Sequence, residues 1–300
     1  MKTYAVVASV VLMVVGCSRP ENAASTGEKA NPSVAAATGS YPLTGEILSV
    51  DAPRKVLIVK HEDIPGYMPA MTMEFVVSDA DLAAAKPGQR IRAEMTPAPD
   101  SVFRLGKIWP NDKAGDDTIT AGARVLRQDT HSRGRNVYRE VGETVPVFAL
   151  YDQEGRVVQS AQFRGKKVML NFIFTRCPVA TMCPAATLKM VSAQKLAKEA
   201  GVSNVEFISV TLDPTYDTPP ILKEYAKLRG IDTANFSFLT GPDKAIKDLL
   251  AQFGVIAEFE NDLLKHTLTT LLIDENGTII HRADSSVWEA GDFVAKMRKS

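Results

Sequence analysis

The chain of 300 residues carries 35 lysines and arginines against 35 aspartates and glutamates, a formal net charge of zero. That balance excludes a duplex nucleic-acid binder, which needs surplus cations to neutralise phosphates. With 45% hydrophobic and 23% charged residues the chain is globular in bulk, and its three cysteines are too few for a disulfide-stapled scaffold.

The first element in chain order is a leader. Lys2 precedes the apolar run Ala5–Gly16, which is shorter than the ~20 residues of a bilayer span and suits the core of a secretory signal. The run ends in Val14-Val15-Gly16-Cys17, which resembles the lipobox of bacterial lipoproteins. The resemblance implies cleavage before Cys17 and a lipid anchor on it, so residues 1–17 are read as a lipoprotein signal peptide. Residues 18–40 hold Val34 as their only large aliphatic side chain. They cannot offset the entropy of ordering, which predicts a disordered tether. The folded parts are then periplasmic and lipid-anchored to a bacterial membrane, and Cys177 and Cys183 meet oxidising conditions.

From Tyr41 onward short apolar stretches alternate with turn signals. Strands are predicted at Leu43–Val50, Val56–Lys60, Met71–Val77, Arg90–Met95 and Val102–Trp109, separated by Asp51-Ala52-Pro53, Ile64-Pro65-Gly66 and Lys86-Pro87-Gly88. Such a set predicts a small all-β, OB-like barrel over residues 41–127, because closure removes exposed edges. Residues 128–140 are polar and arginine-rich and read as an inter-domain linker. On a linker of that length two units would meet at roughly millimolar effective concentration.

Residues 141–300 alternate strands and helices. Val168–Phe174 is a continuous apolar strand, and Ala185–Glu199 a helix with Leu188, Val191 and Leu196 near one face. Strand Val205–Val210 follows, then helix Ile221–Arg229, opened by Asp217-Thr218-Pro219 with a capping side chain. Helix Asp243–Phe253, a hairpin of Leu268–Ile273 and Thr278–His281 about Asn276-Gly277, and helix Trp288–Met297 complete the unit. The order predicts an α/β fold of the thioredoxin type.

Cys177 and Cys183 lie in Phe174-Thr175-Arg176-Cys177-Pro178-Val179-Ala180-Thr181-Met182-Cys183-Pro184, between a buried strand and a helix. A helix amino terminus favours thiolate, the form that attacks disulfides and binds soft metals. Two residues six apart cannot share one face of a regular helix, which places Cys177 in the loop. The blocks Phe163-Arg164-Gly165-Lys166-Lys167-Val168, Phe174-Thr175-Arg176-Cys177-Pro178, Leu212-Asp213-Pro214-Thr215-Tyr216-Asp217-Thr218-Pro219 and Lys265-His266-Thr267 resemble the Sco/SenC family of copper-binding thioredoxin-fold proteins. The resemblance covers residues 141–300 and implies Cys177, Cys183 and His266 as copper ligands, with Asp213 near them. The family places three residues between its cysteines and this chain five. The extra length would widen the bite, relocate Cys177 or bring Met182 within reach as a thioether donor. Two thiolates and an imidazole suit Cu(I) and tolerate Cu(II). His131 and His281 read as solvated or structural.

The first unit carries its own soft donors. Met71 and Met73 are two apart, so on a strand they share a face, with Met68 just upstream and His61 on the preceding strand. Thioethers hold Cu(I), although alternating methionines also serve as core filling. Residues from Tyr41 to about Met95 are similar to CusF-like periplasmic copper-binding domains. That resemblance implies His61, Met71 and Met73 as ligands. Met68 stands where the family has a capping tryptophan, so the cap is absent or is supplied by Met68 or Tyr67.

Together the two resemblances imply a membrane-tethered copper metallochaperone. Its partners would be an apo copper acceptor, a cytochrome c oxidase subunit by family analogy, and a thioredoxin-like reductant that keeps the thiols open. The alternatives are an extracytoplasmic thiol–disulfide oxidoreductase, in which Cys177 attacks and Cys183 resolves, and a copper-tolerance binding lipoprotein. Against the oxidoreductase, the chain has no Cys-x-x-Cys, and His266-Thr267 stands where thioredoxins place a cis-proline.

Overall fold

The structure is a computed structural model that describes residues 39–98, 102–260 and 263–299. The leader with Cys17 and the expected tether as far as residue 38 lie outside the described residues. Among the described residues no helix is long and apolar enough to cross a membrane.

β1 (Tyr41–Asp51), β2 (Val56–His61) and β3 (Met71–Val76) form an antiparallel meander. A short helix, α1 (Asp79–Ala84), follows with the Ser78 hydroxyl accepting from the Asp81 amide as its cap. β4 (Arg90–Pro97) and β5 (Phe103–Pro110) then close a barrel in the order β1-β2-β3-β5-β4. Alternate residues point inward, and Leu43, Ile47, Leu57, Val59, Phe75, Ile91, Met95 and Leu105 fill the interior. All five predicted strands are present.

The stretch expected as a linker is helical in its first part. The barrel strands end at Pro110, and α2 (Lys113–Arg133) runs for 21 residues through the first part of the stretch read as a connection. Its start is capped by Asp112, which accepts from the Gly115 amide at 3.0 Å. Only Gly115, Ile119 and Leu126 of this helix are fully buried, so its apolar stripe is one residue per turn wide and its composition reads as polar. Gly122 lets the helix lie almost against the backbone of the second unit. A Cβ there would stand 2.6 Å from that of Ala149.

The second unit begins with a small hairpin, β6 (Ala149–Tyr151) and β7 (Val157–Gln159), and continues through β8 (Lys167–Ile173), α3 (Cys183–Glu199), β9 (Val205–Thr211) and α4 (Pro219–Leu228). Next come β10 (Phe236–Leu239), α5 (Asp243–Gln252) and a second hairpin, β11 (Ala257–Glu260) and β12 (Leu263–His266). β13 (Thr270–Ile273), β14 (Ile279–Ala283) and α6 (Ala290–Met297) end the chain. The central sheet has the order β10-β9-β8-β13-β14, with β8, β9 and β10 parallel and β13 and β14 antiparallel. This is the expected thioredoxin-like fold.

Two local expectations are corrected. The buried face of α3 is Cys183, Ala186, Thr187, Met190, Ala193 and Ala197, whereas Leu188 is 65% exposed and Leu196 also faces water. Small side chains there let the helix approach β8 and α6 closely. At α4, Thr218 is the cap residue and makes no side-chain cap bond; the Asp217 carboxylate is used elsewhere.

The barrel is docked on the second unit. α1 lies against α4, Trp109 packs on Tyr151 with ring centroids 5.9 Å apart, and the Tyr151 hydroxyl donates to Asp116 of α2 at 2.6 Å. Arg92 of β4 pairs with the same Asp116 carboxylate. Asp81, at the α1 side of this seam, is buried, and one of its oxygens has no partner. Burial, reinforced by Glu224, pushes its carboxyl up to about 6, with the Ser78 hydroxyl opposing. The native state therefore holds this proton more tightly than the unfolded chain. Its contribution to stability is present near pH 4 and lost as pH rises through about 6. Asp81→Asn is expected to raise the unfolding free energy at neutral pH by on the order of 2 kcal/mol and to have little effect near pH 4. Urea unfolding at the two pH values checks this; equal effects at both would contradict it.

Candidate metal centres

The carboxyl ends of β8 and β9 shape the first centre. β8 delivers Phe174, Thr175 and Arg176, after which the Cys177 amide donates back to the Phe174 carbonyl at 3.3 Å. A turn closed by the Met182 amide on the Val179 carbonyl, 3.0 Å, takes up the extra residues between the cysteines. Cys183 is then the first residue of α3, fully buried, while Cys177 sits half-buried in the loop. Both are free thiols.

The β11–β12 hairpin supplies the third donor. His266 ends β12 opposite Ala257, and its ring stands edge-on to Phe174 with centroids 5.3 Å apart. Its Nδ1 lies 3.1 Å from the Thr267 carbonyl, which fixes the proton there and leaves Nε2 as the lone-pair nitrogen. Nε2 is 3.5 Å from the Cys183 sulfur, and one donor atom each from Cys177, Cys183 and His266 lies within 4.8 Å of the others. Trigonal coordination at metal–donor lengths of about 2.0–2.3 Å needs donor separations of about 3.5–4 Å, so a slight contraction seats an ion. The lengthened cysteine loop therefore leaves the bite narrow. Met182 is the residue just before α3 and is half-buried.

Burial, not the helix dipole, dominates the protonation of Cys183. Desolvation pushes its thiol well up, against a lowering contribution from the Phe174 backbone. Desolvation likewise lowers His266, which keeps its imidazole neutral and available as a ligand. Around the donors sit two aspartates. Asp213 is buried and accepts from Arg176 at 2.6 Å, with the guanidinium lying 4.0 Å over the Tyr216 ring. Asp217, which precedes the cap residue Thr218, is fully buried and accepts from the Thr175 amide at 3.1 Å, the Thr175 hydroxyl at 2.5 Å and the Thr211 hydroxyl at 2.7 Å. It ties the chain just after β8, two residues before Cys177, to the end of β9. Two threonines, each at a strand's carboxyl end, were the available signal.

The second centre lies on the barrel. His61 is buried, its Nδ1 stands 2.7 Å from the Glu62 carbonyl, and its Nε2 is covered with no hydrogen-bond partner. An unpartnered buried imidazole nitrogen is costly unless it meets a Lewis acid. In the β2–β3 ladder Met71 stands directly opposite His61, and Met73 occupies the next inward position, opposite Val59. Met71 is 46% exposed, Met73 is half-buried against the core, and Met68, also half-buried, follows a tight turn bonded to Ile64. Tyr67 stacks on Tyr41 at 4.3 Å. His131 is exposed near the end of α2, and His281 packs on Phe293, 4.9 Å between centroids.

Comparison with known proteins divides the chain at the same place. The SCO1/SenC family model matches residues 137–300, and the model described as copper binding periplasmic protein CusF matches residues 40–110. An SCO2-like protein of Rickettsia typhi is 32% identical over 168 residues, covering 53% of this chain and 80% of the relative. An SCO1 protein homolog of Bacillus subtilis is 32% identical over 108 residues, 36% of this chain and 54% of the relative. Among solved structures, an SCO1/SenC family lipoprotein from Bacillus anthracis is similar with a TM-score of 0.50 and 27% identity, over 54% of this chain and 98% of that one.

Removing the Asp217 carboxylate strands the buried Thr211 hydroxyl and two half-buried donors of Thr175. Asp217→Ala is expected to cost roughly 3 kcal/mol or more, at about 1–3 kcal/mol per unsatisfied group, and to speed alkylation of Cys177. Asp217→Asn, which keeps an acceptor oxygen, should lose less. Urea unfolding and thiol labelling measure both, and an unchanged midpoint in Asp217→Ala would contradict the assignment.

Proposed function

The chain belongs to the SCO1/SenC family, and from that premise we propose that it is a copper metallochaperone with two soft-donor sites. The observation that carries the reading is the convergence of Cys177, Cys183 and His266 donors within 4.8 Å. Two thiols and one neutral imidazole in a site with Cys183 fully buried suit Cu(I), because sulfur selects the soft ion and desolvation discourages hard ones. Nitrogen leaves Cu(II) accessible when Cys177 and Cys183 are both deprotonated by the metal. The covered Nε2 of His61, with Met71 opposite, supports a thioether site of weaker donors on the barrel.

The protein's own residues divide the work. His266 holds its metal-free nitrogen toward Cys183 through the Thr267 carbonyl, and Asp217 fixes the loop that carries Cys177. The ion itself is cargo. Its proposed acceptor is an apo copper protein, a cytochrome c oxidase subunit by family analogy. A thioredoxin-like reductant is proposed to keep the thiols open, since a Cys177–Cys183 disulfide would remove both donors. The oxidoreductase reading has less support, because a buried thiol held in its protonated form is a slow resolving group.

Reduced protein is expected to bind two Cu(I) ions in competition with a coloured chelator. His61→Ala with Met71→Ala should remove one, and Cys177→Ser with Cys183→Ser the other. Full binding by either double variant would contradict the corresponding site.

We also propose that Cys17 carries the lipid that tethers the protein on the periplasmic side of a bacterial membrane. Labelled palmitate should enter the unaltered protein and not Cys17→Ala; equal labelling would contradict the anchor.

A further inference from the structure

We infer that the two donor sets of one chain do not pass an ion to each other directly, and that traffic between them runs through a second molecule. The inference rests on the proposed function in taking both sets to bind Cu(I). Direct exchange requires donors from both sites to hold the ion together, which brings the two sets within roughly 5 Å, twice a metal–sulfur bond.

The barrel register forbids that approach. Met71 stands opposite His61, His61 opposite Gly45, Gly45 opposite Ile91, and Ile91 opposite Pro110. That path is an arc of about 19 Å round a closed barrel in which β3 also neighbours β5, so the separation is set by the offset along the strands; Pro110 is where the barrel packs on Gly155 of the second unit. β3 pairs in parallel with β5 at Val76 and Arg104. Met71, five residues before Val76, and Trp109, five residues after Arg104, therefore lie toward opposite ends of the barrel. The space between them is packed with Leu43, Ile47, Val59, Phe75, Ile91 and Leu105, so no path runs through the interior.

The docked end, not the donor end, neighbours the thiol loop. Arg92 and Trp109 share a small cavity with Pro214 and Thr215, which directly follow the Asp213 that Arg176 grips beside Cys177. Nor is there a slack joint on which the barrel could turn. Only Asn111 and Asp112 separate β5 from α2; the Asn111 amide donates to the Arg90 carbonyl at 3.0 Å, and Asp112 caps α2. The helix in turn is held on β6 by the Gly122–Ala149 approach.

The donor end instead faces outward. Met71 is exposed together with Pro69, Ala70 and Thr72. Its partner is a second copy of this chain, whose Cys177 sits on a loop exposed at Pro178, Val179 and Ala180. In the exchange thioether–copper bonds break as thiolate–copper bonds form, copper stays Cu(I), and the thiol protons pass to solvent.

Two measurements test the inference. In the first, protein whose Cys177 and Cys183 are held as a disulfide is loaded with Cu(I) at the barrel. The thiols are freed by a phosphine fast enough that release precedes transfer, and thiolate–Cu(I) absorption is followed at increasing protein concentration. The rate is expected to rise in proportion to concentration; a concentration-independent rate would overturn the inference. The second needs no metal. Spin labels at Ala70→Cys and Val179→Cys, in a chain carrying Cys17→Ser, Cys177→Ser and Cys183→Ser, should give one narrow distance distribution centred beyond roughly 20 Å. A substantial population far inside that length would overturn it. Failure of either donor set to bind Cu(I) would count against the proposed function, and the label distances would still decide the inference.

Discussion

Cys183 begins α3 with its sulfur wholly buried, and the placement of that one atom governs the rest of the thiol centre. α3 packs through Cys183 and a run of alanines on β8 and α6, so the sulfur sits inside that seam. With this donor fixed, the other two are brought to it by independent means. The turn at Val179–Met182 folds the long loop back so that Cys177 approaches, and the β11–β12 hairpin carries His266 over Phe174. Asp217 then locks the loop from below. The desolvation that disfavours the free thiolate of Cys183 is relieved once a metal takes the proton's place, because the bound cation offsets the charge left on the sulfur.

The barrel follows the opposite logic. Its interior is a closed apolar core, and His61 and the methionines occupy one end of it, where Met71 reaches water. An accessible site of neutral thioethers suits a labile ion, while a buried dithiol site suits a held one. The two units are nevertheless not a pair of beads on a string. A continuous helix, a two-residue connection tied to β4 and α2 by hydrogen bonds, and an aromatic seam make the barrel a fixed part of the body that carries the thiols.

Much of this was legible in the sequence, and the failures share a cause. The barrel strands and the strands β8, β9 and β13 announce themselves by apolar alternation or runs between turn residues. Cys177 and Cys183 stand out by their place between a buried strand and a helix, whereas His266 comes only through motif resemblance, since a spacing of 83 residues from Cys183 carries no local signal. α2 escaped because it fully buries only Gly115, Ile119 and Leu126, and Gly122 lets it lie close on Ala149 without large apolar side chains to announce it. The same effect reversed the face of α3, where Leu188 looks like core and the alanines do not. Asp217 before a proline-led helix has the pattern of a cap, and only the tertiary arrangement shows its carboxylate bonded to Thr175 and Thr211 instead.

The central claim is that sulfur and imidazole, gathered in two separate places, form the first shell of a soft ion. Copper K-edge X-ray absorption on the reduced, fully loaded protein tests it most directly. The account predicts a shell dominated by sulfur with an imidazole contribution, losing its short thiolate component and keeping the longer thioether one when Cys177 and Cys183 are replaced by serine. A shell of nitrogen and oxygen alone would contradict it.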